Sequence, residues 1–312
     1  MSKVVDQHVT EKFAVYNADC VEALRGLPAS SMHYSIFSPP FESLYVYSNS
    51  PRDMGNVRSS AEFMAHFSWL VRELFRVMKP GRLISFHCMD LPTSKERHGH
   101  IGLRDFPGDL LRAFEAEGFI YHSKVCIWKD PVTAMQRTKA LGLLHKTIRK
   151  DSSMSRQGIP DYLITVRKPG ANDEPVTHAE DALAKVETWQ RYASPVWVTT
   201  DAGVDDEGFA KCTQDINPSE TLQYRSAREN DDERHICPLQ LEVIRRGIRL
   251  WSNPGDVVLS PFTGIGSEGY VALQEGRRFV GAELKASYYR QAVKNLAEAS
   301  VERQGSLFGG AR

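Results

Sequence analysis

Residues 257–269 read VVLSPFTGIGSEG. The first four form a short apolar run ending on a small polar residue, as a buried strand does at a loop. Gly264-x-Gly266 follows, and then "EGYVALQEG", which has helical spacing. "RRFVGAEL" is the next strand, and Glu283 lies near its end, about 20 residues past the glycines. Glycines at that turn let backbone approach a ligand, and an acid at that distance can bond ribose hydroxyls. The stretch reads as a nucleoside-binding βαβ unit. Gly269 stands three positions after Gly266, where a dinucleotide fingerprint has its third glycine. On this motif alone a nicotinamide or flavin enzyme stays open, as does any other adenosine site.

Working upstream, "NPGD" is a turn. "PLQLEVIRRGIRLW" is an amphipathic helix whose Leu241, Ile244, Ile248 and Trp251 share a face, with Pro238 near its first turn. The N-terminal part alternates in the same way. "FAVYNADC" reads as a strand, "VEALRGL" as a short helix, and "MHYSIF" as a strand that runs into Ser38-Pro39-Pro40-Phe41. Phe63, Phe67, Leu70, Leu74 and Met78 mark a helix closed by Lys79-Pro80-Gly81. The strand "RLISFH", the helix "PGDLLRAFEAEGF" and the strands "IYHSKVCIWK" and "DYLITVRK" complete an α/β layer over roughly the first 170 residues.

The middle changes character. From Lys124 to Lys168 ten cationic residues face three acids, whereas acids dominate from Ala171 to Arg234. Four segments are expected: 1–130, the first half of the main domain; 131–234, an insertion from which strand 161–168 returns to the sheet; 235–300, the second half; and 301–312, a flexible tail.

With 312 residues, zero formal net charge and 25% charged residues, the chain reads as one large soluble domain with an insertion, and it does not advertise a polyanion partner globally. No apolar run approaches the roughly 18 residues of a membrane span, and no signal peptide opens it. The five cysteines include no CxxC pair, so reduced thiols, a cytoplasmic setting and no structural metal are expected.

Taken together, Ser38-Pro39-Pro40-Phe41 and "SPFTGIG" resemble the DNA amino-methyltransferases, which methylate N4 of cytosine or N6 of adenine. Their catalytic turn is Asp, Asn or Ser, then Pro-Pro and an aromatic residue. Their cofactor loop reads approximately DPFxGxG; here Ser260 stands in place of the aspartate. The catalytic turn precedes the cofactor loop, the permuted order of the β class. "DPVTAMQRTKALGLLHKTIRKDSSMSRQGIPDY" is similar to phage-borne members, and a restriction-modification or orphan enzyme is implied.

The resemblance implies a three-layer, Rossmann-like fold with a mixed, mostly parallel sheet and a target-recognition insertion. It implies S-adenosylmethionine as cofactor and double-stranded DNA as partner, with the protein on the nucleoid when acting and a homodimer left open. An exocyclic amino nitrogen is a poor nucleophile because its lone pair is delocalised into the ring. Ser38 and the Pro39 carbonyl can accept its hydrogens. Pro39 and Pro40 fix the backbone near φ −65°, and Phe41 offers a face for a flipped base.

By the same resemblance Gly264, Gly266 and Glu283 hold the cofactor, Asp19 lies near its adenine, and Phe37, Phe262 and Ser260 surround it. His235 is a candidate for the methionine end, though a structural role serves it as well, and Asp19 can instead cap the following helix. Arg137, Lys139, Lys146, Arg149, Lys150 and Arg156 are candidate phosphate contacts; a solvated face is the other reading. Ser38 favours cytosine N4, with adenine N6 as the alternative. An RNA or protein amino-methyltransferase and a non-catalytic DNA-binding regulator complete the alternatives. Carbon-5 methylation needs a nucleophilic Cys after Pro, and Cys237-Pro238 has the reverse order.

Overall fold

The computed structural model describes residues 4–42, 52–129 and 239–308, and between them 148–149, 151–154, 156–178, 183, 185–198, 216, 220–223 and 227. The chain runs through β1 (Asp6–Val9), β2 (Phe13–Asn17), α1 (Cys20–Arg25), β3 (Met32–Phe37), α2 (Ser60–Val77) and β4 (Met78–Met89). Then come β5 (Leu91–Thr93), α3 (Lys95–His98), β6 (Gly102–Arg104), α4 (Phe106–Ala116), β7 (Ile120–Trp128) and β8 (Asp161–Arg167). The last elements are α5 (Val186–Ala193), β9 (Val196–Val198), α6 (Leu241–Trp251), β10 (Val257–Ser260), α7 (Ser267–Gln274), β11 (Arg278–Glu283) and α8 (Ala286–Phe308).

Nine strands form one sheet in the order β1-β2-β11-β10-β3-β4-β8-β7-β9, with β5 and β6 as a separate hairpin. From β2 to β4 all neighbours are parallel. β1, β8 and β7 add antiparallel pairs. The β3 residues MHYSIF are buried without exception, as a parallel strand covered on both faces demands. One face carries α1, α2 and α4, the other α6, α7 and α8, each with its own apolar cluster. This is the three-layer α/β architecture that the sequence implies.

Local signals explain the helix ends. Ser59 accepts the N–H of Glu62 and so starts α2, which buries Phe63, Phe67, Leu70, Val71, Leu74 and Val77. The helix stops at Val77. Met78, assigned to its apolar face from sequence, is instead the first residue of β4. The strand expected at 161–168 lies between β4 and β7. Helix α8 continues to Phe308, past the point at 301 where a flexible tail is expected from sequence. Among the described residues no helix is long and apolar enough to cross a membrane.

The topology decides where a site can form. From β10 the chain winds outward to β11; from β3 it winds the opposite way to β4. The strand order therefore reverses between β3 and β10, which pair directly at Val258–Tyr34 and Leu259–Ser35. Such a reversal leaves a crevice at the carboxyl ends of the two strands. Both sequence motifs, more than 200 residues apart, open into it.

Candidate active site

A cavity of about 170 Å³ occupies this crevice. Its walls come from the start of α1 (Asp19), the turn after β3 (Ser38, Pro40), the loop after β10 (Phe262, Gly264) and the end of β11 (Glu283). The glycine loop has the backbone its residues permit. Gly264 has φ 54° and Gly266 φ 92°, values that favour glycine because it lacks Cβ. A Cβ on Gly266 would lie 2.5 Å from Leu296 Cδ1, so that glycine also lets α8 pack against the loop. Gly264 faces open space.

Glu283 binds the loop from β11. Its two carboxylate oxygens accept the N–H groups of Gly264 and Lys285, each at 2.8 Å. Burial pushes Glu283 up to about 7, against the pull of those two donors and with Asp53 adding to the rise. Glu268, at the start of α7, is pushed up to about 8 by burial, and nearby Glu283 adds to it. Asp19 accepts the N–H groups of Val21 and Glu22 at 3.0 and 3.1 Å, capping α1, while also lining the cavity. The cap expected of Asp19 is therefore formed, and the residue also borders the cavity.

The turn after β3 is fixed from two sides. Ser38 Oγ lies 2.8 Å from His87 Nδ1, and His87 Nε2 lies 2.8 Å from Asp161 Oδ2. Lys129 forms an ion pair with the same Asp161 oxygen. Burial pushes the Asp161 carboxyl up, but Lys129 and His87 outweigh it and hold the group down at about 2. Phe41 packs against the rings of His87 and Phe106, at 6.0 and 6.2 Å between centroids. Directly after it, Glu42 takes φ 50° and holds Arg104 Nη1 at 2.6 and 2.5 Å, with Ser60 Oγ at 3.0 Å. These charge-assisted bonds hold the exit of the turn in a conformation that non-glycine residues seldom adopt.

A family model described as DNA methylase, N6_N4_Mtase, matches residues 32–294. The chain belongs to this N6/N4 DNA methylase family. The methylase is 24% identical over 296 residues to the type II methyltransferase M.BglII of Bacillus subtilis, covering 93% of this chain and 70% of that one. Its fold is similar to TTHA0409 of Thermus thermophilus, solved in complex with S-adenosyl-L-methionine (TM-score 0.61, 22% identity, 90% and 93% of the two chains). It is also similar to the PvuII DNA methyltransferase, a cytosine-N4-specific protein (TM-score 0.62, 14% identity, 99% and 98%). The methylase is an S-adenosylmethionine-dependent DNA methyltransferase.

The cavity suits that cofactor chemically. Asp19, Asp53, Glu268, Glu283, Arg52 and Lys285 put polar groups of both signs on its walls, which fits a ligand carrying sulfonium, ammonium and carboxylate groups. Ala18, Met54, Phe262, Ile265 and Tyr288 supply the apolar surface that an adenine ring needs.

Of the sequence candidates, Asp19, Ser38, Pro40, Phe262, Gly264 and Glu283 reach the cavity wall. Two lie beneath it. Phe37 is fully buried and packs on Phe262 at 5.8 Å. Ser260 is also fully buried, and its Oγ has no hydrogen-bond partner among the described residues, so the expected cofactor contact at Ser260 is not formed by its side chain. The short strand β10 turns that residue under the loop. Arg149 is exposed, and Arg156 is half-buried with Nη1 3.4 Å from the Gly102 carbonyl. His235, Arg137, Lys139, Lys146 and Lys150 lie outside the described residues.

His87, Asp161, Lys129, Asp53 and Glu268 were not legible as site residues from sequence. Glu268, two residues past Gly266, had the clearest signal, an acid in the first turn of the helix after the glycine loop. His87 and Asp161 sit on strands that the sequence does reveal, but only strand pairing brings them together.

At the opposite end of the central strands, His33, Glu174 and Asp256 form a group of metal-ligand type. His33 Nδ1 accepts the Val257 N–H at 3.1 Å, so Nε2 carries the proton toward Glu174, also at 3.1 Å. Lys79 and Arg82 occupy the carboxylates at 2.9 and 3.0 Å. Paired this way, the group is an ion-pair network.

Proposed function

We propose that the methylase transfers a methyl group to the exocyclic amino nitrogen of a flipped base in duplex DNA, and that the base is cytosine, modified at N4. The observation that carries this reading is Ser38 at the cavity wall with its hydroxyl turned onto His87 Nδ1. A serine oxygen held this way offers acceptance, which is what an amino group needs.

Bound in the crevice, the cofactor supplies an electrophilic methyl group on a sulfonium. The protein supplies position. Ser38 Oγ and the Pro39 carbonyl accept the two amino hydrogens and direct the nitrogen lone pair at the methyl carbon. Prolines at 39 and 40 keep that carbonyl in place, since their φ angles are fixed. Phe41, braced by Phe106 and followed by the Glu42–Arg104 pair, gives the base a flat apolar face. Glu283 serves the ribose hydroxyls and Asp19 the adenine amino group, while Asp53 offsets the cofactor's positive charge. Arg149 and the other cations between 137 and 156 contact phosphates near the target.

Ser38 favours cytosine, because the serine form of the turn accompanies N4 specificity in the family it resembles. Modification-aware sequencing of DNA from cells expressing the protein tests this. The expected result is N4-methylcytosine in one sequence context, absent with Ser38→Ala. N6-methyladenine in its place would overturn the assignment of the base, and unmodified DNA would overturn the reaction.

A further inference from the structure

The Ser38 hydroxyl is the first member of a row of four groups. His87 reaches it from the end of β4, Asp161 reaches His87 from the start of β8, and Lys129 pairs with Asp161 from just beyond β7. Asp161 and His87 are both buried, at 2% and 8% exposure, whereas Ser38 borders the cavity. The Phe41 ring, which has no charge, also lies against the imidazole at 6.0 Å between centroids.

Proton positions follow from the chemistry of the groups. Asp161 is ionised near neutral pH, and an ionised carboxylate only accepts hydrogen bonds. His87 Nε2 must therefore carry the ring proton and donate it to Asp161. In the neutral ring that leaves a lone pair on Nδ1. The hydrogen between Nδ1 and Ser38 Oγ is then the serine's own. With its one hydrogen turned inward, Ser38 presents only lone pairs to the cavity.

We propose that His87 and Asp161 are positioning residues that lock Ser38 as a hydrogen-bond acceptor, and that His87 takes up the proton released by methylation. The inference rests on the amino-methylation reading above and holds for either base. As the new N–C bond forms and the cofactor's S–C bond breaks, the amino nitrogen gains positive charge. It loses a proton to Ser38 Oγ while the serine hydroxyl proton moves to His87 Nδ1. Serine thus ends as it began, and His87 becomes an imidazolium facing the Asp161 carboxylate. Lys129, paired with that carboxylate, keeps Asp161 ionised, so the proton stops on His87 until solvent removes it.

The test is single-turnover transfer of radiolabelled methyl from saturating S-adenosylmethionine to unmodified duplex DNA of random sequence. Calorimetry of cofactor binding runs alongside. His87→Ala and Asp161→Asn should each slow transfer about 100-fold, the range of general acid–base effects, with cofactor affinity unchanged within about threefold. His87→Asn keeps an acceptor oxygen close to the Nδ1 position but takes no proton. Its rate should recover only part of the loss seen in His87→Ala, because the asparagine turns the serine hydrogen inward without taking it up.

Transfer by His87→Ala within about threefold of the unaltered rate would overturn the proposal. So would full recovery of the rate in His87→Asn, or a rate loss matched by an equal loss of cofactor affinity. Absence of transfer by the unaltered protein would instead remove the amino-methylation reading itself, so the two failures are distinguishable.

Discussion

Glycines 264 and 266 are two residues apart, yet the same substitution should damage different properties. Alanine at 266 meets two obstacles. Its φ of 92° lies outside the region that L residues tolerate, at about 1–3 kcal/mol. Its Cβ would lie 2.5 Å from Leu296 Cδ1 and 3.3 Å from Ala292 Cα, on the helix packed behind the loop. Overpacking of this kind costs about 1–3 kcal/mol more, because Leu296 is fully buried and must leave its rotamer.

Gly266→Ala should therefore lose roughly 2–6 kcal/mol of unfolding free energy, the sum of the two. Gly264→Ala meets only the conformational obstacle, at about 1–2 kcal/mol, because its φ of 54° is the left-handed helical value and its Cβ has no neighbour within 4 Å. That methyl stands on the wall of the cavity, so cofactor affinity should fall at least tenfold, or about 1.4 kcal/mol. Denaturant titration without ligand and calorimetry with S-adenosylmethionine measure the two quantities. Equal stability losses in the two variants, or full cofactor affinity in Gly264→Ala, would refute the division of labour between the glycines.

The buried carboxyls set a pH dependence. Glu283 and Glu268 titrate in the fold at about 7 and about 8, raised from an ordinary value of 4.5. Each holds a proton in the native state that the unfolded chain releases earlier. Their contribution to stability is thus full below about pH 4.5 and is lost as pH rises to about 8. Thermal melts of the cofactor-free protein should show this fall, and Glu268→Gln should flatten its upper part; an unchanged slope would count against burial as the cause. Arg82→Met should cost about 3–5 kcal/mol, because it removes the cation 3.0 Å from buried Asp256; an unchanged denaturation midpoint would contradict this. Asp19→Ala should lose about 1 kcal/mol with the α1 cap, whereas Asp19→Asn should keep the cap. If Asp19 also serves the cofactor through its charge, both variants should bind it more weakly, and normal binding by Asp19→Asn would argue against that role.

Sequence alone determined the parts that rest on local rules. Apolar runs marked the central strands, because a parallel strand is buried on both faces and has no polar side to show. Asp19, Gly264 and Gly266 were legible because capping and left-handed backbone demand particular residue types. The two motifs could be named as members of one site only through their resemblance to a family. What joined them physically was the reversal of strand order between β3 and β10, a property of chain winding that no local signal encodes.

The same holds for the row behind Ser38. His87 and Asp161 are 74 residues apart, on strands whose antiparallel pairing puts the end of β4 beside the start of β8. Ser260 shows the converse. Its motif position suggested a ligand contact, but the direction of a side chain at a strand end is set by how the strand sits in the sheet, and here it points into the core. Residue type and spacing fixed the local backbone. Strand order and register decided which of those residues share a cavity.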